Sequence, residues 1–396
     1  MTDGALTGTR VLEVGLLVQA PQAGQMLSDL GADVIKVEMP GFGDQSRWIP
    51  IAAGDDMRAP YLVGCNRGKR SATLDLHTPK GREVFLQMAQ RSEVVISNLV
   101  PGTLDGWGLG YDDLARVNPG IVYAAGSAYG FDGPDATIKG ADIGGQAAGG
   151  MLTMIGEPGD PVRPVGVTFA DHIASQNMVA GVMAALLARH RTGRGQMVEV
   201  SLYGGQLFAQ ASELVAHALT GSGPGPGGQG HALIPAIYGV FPTADGHIAV
   251  VGVPDKAPFF ALLGRPDLAD DERFMGVLLD DEAKKELFEI LNQVLATRPT
   301  AEWDELFRAN EVRFAPVRTH ADVVADPGAH ANGYLQTIDH PEWGEVVMPG
   351  TPLRLSDTPA VPGELAPELG QHTEEVLLEM GYEWDDIAAM RQSAVI

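Results

Sequence analysis

The sequence holds a single cysteine, Cys65, among 396 residues. One thiol excludes a disulfide framework and a metal site built from cysteines. Basic residues are scarce as well: 27 Lys and Arg stand against 51 Asp and Glu, a formal charge of −24. So acidic a chain offers no broad surface to nucleic acid or to an anionic membrane, and neither is an expected partner. An anionic ligand would need a local cluster of Lys, Arg and backbone N–H groups. Long apolar runs are missing too. The longest helix-like uncharged stretch, Ile173–Ala188, contains Ser175, Gln176 and Asn177 and falls short of the ~18 residues of a membrane span. The apolar segment Val11–Ala20 carries Glu13, and no basic segment precedes it as in an export signal. The expectation is a soluble, cytoplasmic protein.

What is present points to a folded chain of two or three domains, at roughly 150 residues each. Hydrophobic residues make up 45% and charged residues 20%, enough apolar surface for a sizeable core. The 50 Gly and 27 Pro predict many tight turns and long irregular connections. Strand and helix signals alternate through the first half. Arg10–Gly15 and Ala32–Glu38 read as short strands around a helix over Gln22–Leu30, which Gly31 stops. Thr78 is a helix N-cap with Pro79 at the first helical position, and Val84, Phe85, Met88 and Ala89 give that helix one apolar face. Glu93–Asn98 and Ile121–Ala125 are further strands; a long helix runs from about Asp171 to His190, and the strand Met197–Leu202 follows. This order predicts an α/β fold, a mainly parallel sheet covered by helices.

Gly221–Gly230 (GSGPGPGGQG) breaks all periodicity and marks a boundary. Beyond it, Ile237–Phe241 and His247–Val253 flank Thr-Ala-Asp-Gly as a hairpin. Amphipathic helices over Pro258–Leu263, Asp281–Ala296 and Thr300–Ala309 complete a smaller α+β unit. The predicted division is 1–220 for a large domain, 231–325 for the small one and 326–396 for a segment returning to the large domain. That last segment has a strand near Glu345–Pro349, a Pro-rich crossing over Pro352–Pro367 and two terminal helices.

A strand, a helix and a second strand ending in Glu38 are also how a nicotinamide-binding unit starts. The turn Gly15-Leu-Leu-Val-Gln-Ala-Pro21 lacks the repeated glycines that admit a pyrophosphate, so hydride transfer is not expected. Glu38 then reads as a surface acid at a strand end. A phosphate-binding Walker loop and a His-x-x-x-His pair are absent, and no metal is expected.

Eight segments in order carry a resemblance that these patterns do not. They are RVLEVG…QAP, LGADVIKVEMPGFGD, NRGKRSATLDLHTPKGRE, NLVPGTLDGWGLGYDDL, NPGIVYAAGSAYGFDGP, RHRTGRGQMVEVSL, YGVFPTADGHI and GQHTEEVLLEMGY. Together they resemble the family III CoA-transferases (the CaiB/BaiF family), which include formyl-CoA:oxalate and carnitine CoA-transferases. The resemblance implies a large Rossmann-like domain, an inserted small domain and an interlocked homodimer. It implies transfer of CoA from an acyl-CoA donor to a small carboxylic acid, with CoA thioesters as substrates and no prosthetic group. It also implies a catalytic aspartate, which the register places at Asp171, forming a mixed anhydride and then an aspartyl-CoA thioester. Taken alone, Asp171 is an ordinary helix N-cap; the roles are compatible, since a helix N-terminus favours a carboxylate.

Other positions follow by register. Val18, Gln19, Leu74, Asn98, Leu99 and Lys139 match CoA contacts, with Lys139 for a phosphate and Asn98 for the pantetheine or nucleotide. Read singly, Lys139 is equally a solvated loop lysine. Met39, His77 and Gly106 stand where the formyl-CoA enzymes carry basic side chains, and Arg47, Lys69 and Arg70 form another basic cluster that suits phosphates. Gly227, Gly228 and Gln229 resemble a lid over the intermediates, or simply link two domains. Trp48 and Tyr61 are acyl-pocket candidates, otherwise core aromatics, and Asp142 is a candidate for orienting substrate or the glycine loop. Ser175 replaces a common glycine and would put a bulkier, polar wall on the acyl pocket; His172 reads as a packing or hydrogen-bonding neighbour rather than a base. The same fold hosts 2-methylacyl-CoA racemases, but Ala141 stands where they carry a histidine base. Ala141 and Ser175 also depart from the oxalate enzymes, so oxalate is not the expected acceptor. A non-catalytic CoA-binding protein is the remaining alternative.

Overall fold

The computed structural model describes residues 4–50, 59–363 and 365–396. Six strands, β1 Arg10–Val14, β2 Asp33–Glu38, β3 Arg70–Thr73, β4 Val94–Ser97, β5 Val122–Ser127 and β6 Met197–Ser201, form one sheet. All its pairings are parallel and its order is β3-β2-β1-β4-β5-β6. Val94-Val95-Ile96 is fully buried along its length, because helices cover both faces of a parallel sheet. On one face Leu12, Phe85 and Val95 pack with the terminal helices Thr373–Met380 and Trp384–Gln392. On the other, Val11, Val94 and Ile96 pack against helix Gln19–Asp29 and the long helix Phe169–Thr192. The order reverses between β1 and β4, and the crevice beyond the carboxyl ends of those strands is where such sheets bind ligands.

Local signals account for most of these elements. Thr78 Oγ1 accepts from Gly81 N and opens helix Pro79–Gln90 with Pro at its first position. β3 carried no apolar run to announce it. Its place depends on β2 and on the returning chain, where Thr73 N donates to Thr373 Oγ1 at 2.9 Å and His372 N to Ser71 O at 2.8 Å.

The chain divides into two compact units: Met1–Gly149, Gly166–Ala209 and Asp326–Ile396 in the first, Gly150–Val165 and Gln210–Ala325 in the second. In the second, β7 Tyr238–Pro242, β8 His247–Val251 and β9 Phe314–Pro316 form an antiparallel sheet. Its core is aromatic, with Phe241, Phe260, Phe274, Trp303 and Phe307 all buried. Asp280 caps the amphipathic helix Asp281–Leu295 by accepting from Ala283 N. The hairpin β10 Leu335–His340 and β11 Gly344–Pro349 belongs to the first unit. Among the described residues no helix is long and apolar enough to cross a membrane.

Candidate active site

Asp171 is the third residue of helix Phe169–Thr192 and does not cap it. Asp142, the first residue of helix Asp142–Ala148, does so from another segment. Its Oδ1 accepts from Ala170 N at 2.7 Å and Asp171 N at 3.2 Å, while Oδ2 accepts from Gln146 Nε2 at 2.6 Å. Two free N–H groups of the first turn thus serve Asp142, and Asp171 is left with a half-buried carboxylate that accepts no hydrogen bond from the described residues. Burial, and then the Asp142 charge, push the Asp171 carboxyl up to about 7. Among the described residues no cation offsets either effect.

The neighbours of Asp171 are held rather than poised. His172 Nδ1 meets Gln22 Oε1, and Nε2 lies 3.2 Å from Thr168 Oγ1. The amide oxygen can only accept, so Nδ1 carries the proton and Nε2 accepts from the threonine. Burial keeps this imidazole below its usual pKa against the pull of Asp142. Ser175 Oγ is fully buried, 2.7 Å from Gln19 O and 2.8 Å from Asp171 O. It therefore fastens helix Gln19–Asp29 to the Asp171 helix instead of walling a pocket, contrary to expectation. Gln146, unremarked in the sequence, is buried and steadies Asp142 from one turn away.

Helix Gln19–Asp29 begins at a turn anchored by buried charge. Lys36 Nζ sits 2.6 Å from Glu13 Oε1, 2.8 Å from Asp44 Oδ2 and 3.1 Å from Gly15 O. Lys69 Nζ meets Glu13 Oε2 at 2.7 Å. Burial opposes the charge on Lys36, but Glu13, Asp44 and Glu38 outweigh it and raise its pKa; burial pushes Lys69 down to about 8. Asp44 Oδ1 accepts from Leu17 N at 3.0 Å and holds Leu17 at φ +64°, a left-handed conformation that costs a branched residue about 1–2 kcal/mol. Asn98 clamps the same turn, donating to Leu16 O and accepting from Leu16 N, both at 2.9 Å.

This network overturns two expectations. Glu38 is not a surface acid: it is buried, paired through both oxygens with Arg47 and bonded by Ser71 Oγ and Asp44 N. Nor does a phosphate-ready cluster exist at Arg47, Lys69 and Arg70. Arg47 is taken by Glu38 and Pro367 O, Lys69 is buried on Glu13, and Arg70 joins Asp33, Glu375 and Glu379.

Comparison with known proteins decides the family. The model of CoA-transferase family III matches residues 6–373. The chain belongs to that family. Succinyl-CoA:glutarate CoA-transferase of Homo sapiens is 33% identical over 390 residues, spanning 97% of this chain and 87% of that protein. Formyl-CoA:oxalate CoA-transferase of Streptomyces coelicolor is 32% identical over 418 residues, the whole of both chains. The crystal structure of a CaiB/BaiF family protein from Brucella suis superposes with a TM-score of 0.83 at 32% identity, covering 96% of this chain and 100% of that one. The protein is a transferase of family III, with a Rossmann-type strand order in its larger sheet.

On this CoA-transferase the positions matched to CoA contacts do not all gather. Leu74, Leu99, Met39 and His77 line one apolar cavity with Trp107, beyond the ends of β1 and β2. Val18 and Gln19 are buried at the helix start, Gln19 Nε2 reaching Ser127 O at 3.4 Å. Asn98 is engaged by Leu16, and Lys139 is exposed with no partner among the described residues. Trp48 and Tyr61 are not core aromatics: they are 53% and 37% exposed. Trp48 donates to Phe42 O at 2.8 Å, and Tyr61 lines a second cavity together with His172. In the second unit, Gly227 O accepts from Gly230 N, Gly228 N donates to Gly156 O, and the Gln229 side chain pairs with Asn292. Gly228 stands at φ +58°, with its absent Cβ facing Glu157.

Proposed function

We propose that this enzyme moves CoA from an acyl-CoA donor to a small carboxylic acid through covalent intermediates on Asp171. One observation carries the reading: a carboxylate without hydrogen bonds from the described residues, beside the charge of Asp142 and raised to about 7. Such an anion is basic and poorly stabilised, hence nucleophilic, and acylation relieves its repulsion by removing one charge. In the first step an Asp171 oxygen attacks the thioester carbon, the C–S bond breaks and CoA leaves as thiolate. The thiolate then attacks the aspartyl carbonyl of the mixed anhydride, releasing the donor acid and leaving an aspartyl-CoA thioester. The acceptor carboxylate attacks that thioester and frees thiolate again. Thiolate finally attacks the acceptor carbonyl, giving the new acyl-CoA and restoring Asp171. No proton moves in the cycle, which fits a His172 whose two nitrogens are already engaged.

The apolar cavity around Leu74, Leu99 and Trp107 is read as the place for the nucleotide end of CoA. Glutarate and oxalate, the acids in the names of the two relatives, support a short diacid as acceptor. The family resemblance extends the reading to an interlocked homodimer. The test is incubation with succinyl-CoA and a panel of acids, followed by hydroxylamine trapping and peptide mass spectrometry. A hydroxamate at Asp171 and acid-dependent new thioesters are expected. Label exchange at Cα without CoA transfer, or CoA binding with neither reaction, would refute the assignment.

A further inference from the structure

Where two carboxylates meet, the one that holds hydrogen bonds keeps the charge, because donors stabilise the anion. At Asp142 and Asp171 the division is one-sided. Asp142 accepts from Ala170 N, Asp171 N and Gln146 Nε2, at 2.7, 3.2 and 2.6 Å. Asp171 accepts no hydrogen bond from the described residues. Two of the three donors are backbone groups that any sequence supplies. The third is the side-chain amide of Gln146, a residue that is fully buried.

That amide is aimed. An amide nitrogen carries two hydrogens, and Gln146 Nε2 has two acceptors, Asp142 Oδ2 and, at 3.3 Å, Val167 O. Val167 lies in the chain entering the Asp171 helix, so one nitrogen ties together the segments that bear the two carboxylates. The helices also approach closely: a Cβ on Gly145 would stand 2.5 Å from Leu202 Cβ and 3.2 Å from Ala170 Cβ, a spacing that glycine permits. Other titratable groups on the elements packed here are few. His172 is engaged by Gln22 and Thr168, and Asp29 of helix Gln19–Asp29 is paired with Arg67. Helix Leu202–Ala209 carries Tyr203, β5 Tyr123 and β6 Glu199. A proton held by the pair has two seats, Asp142 and Asp171.

Resting on the reading of Asp171 as nucleophile, we propose that Gln146 is a positioning residue: it fixes the negative charge on Asp142 and so assigns the proton of the pair to Asp171. It acts through Asp142 and not on the substrate. With the amide in place, a proton taken up in acid silences the nucleophile. Without it, Asp142 becomes a rival seat, and part of the molecules carry the proton there with Asp171 still ionised.

The test is kcat/KM for CoA transfer from succinyl-CoA to glutarate, measured at pH 5 and at pH 8 and expressed as the ratio of the two. Gln146→Met should raise that ratio over wild type by about three- to tenfold, the scale of one hydrogen bond set against the proton balance. In Asp142→Asn, where the rival seat is gone, adding Gln146→Met should leave the ratio unchanged. A residue that merely supports the fold would lower both activities alike. An unchanged or lower ratio in Gln146→Met, or an equal gain in the Asp142→Asn background, would overturn the proposal. Should Gln146→Met fail to fold, Gln146→Asn withdraws the amide by one methylene and should raise the ratio in the same direction; an unchanged ratio there would overturn it as well. Hydroxamate trapping at Asp171 reports the nucleophile whichever residue stands at position 146, so the two readings can fail separately.

Discussion

Two carboxylate clusters in the first unit are built on opposite principles. At Glu13, Asp44 and Glu38, every buried carboxylate meets Lys36, Lys69 or Arg47 at 2.6–2.8 Å. At Asp142 and Asp171, two carboxylates share a helix end with no cation among the described residues, and one accepts no hydrogen bond from them. The difference teaches where each belongs. Compensated charge fixes a backbone turn, including the left-handed Leu17; uncompensated charge stores reactivity in a side chain.

The comparison can be broken from either side. Asp171→Ala should lower transfer by at least about a thousandfold, the scale of losing a nucleophile, while CoA binding by calorimetry stays largely intact. Retained turnover would end the assignment. Removing the cation from the compensated cluster should instead unfold. Lys36→Met leaves Glu13 and Asp44 buried without their partner, a loss of about 3–5 kcal/mol in denaturant melts. A smaller effect separates the clusters by pH. The folded pKa of Asp171, about 7, lies above its unfolded value of 3.8, so the native state holds the extra proton and loses stability as pH rises between these values. Asp171→Asn should therefore melt higher than wild type at pH 8 and alike at pH 3; a lower melting temperature at pH 8 would contradict the repulsion. Smallest, Ser175→Ala removes the tie to Gln19 O and should cost about 1 kcal/mol, with a larger loss in kcat than in KM for acyl-CoA.

The parallel sheet was legible because Val11-Leu12, Val34-Ile35 and Val94-Val95-Ile96 are apolar runs buried on both faces. β3 was not, since Arg70-Ser71-Ala72-Thr73 owes its strand to pairing rather than to pattern. Asp171 emerged from family register, whereas periodicity offered only a cap. The true cap, Asp142, lies 29 residues earlier and becomes a partner only when two helices meet. Arg47, Lys69 and Arg70 misled because a count of basic residues does not separate spent charge from available charge.

The uncompensated pair is tested most directly by the pH dependence of kcat/KM in the wild type and in Asp142→Asn. The attacking species is the anion, so wild-type activity should fall as pH drops through about 7. Asp142→Asn removes the neighbouring charge and should carry that acid limb to lower pH. A wild-type limb in the ordinary carboxylate range, or one that Asp142→Asn leaves in place, would contradict the account.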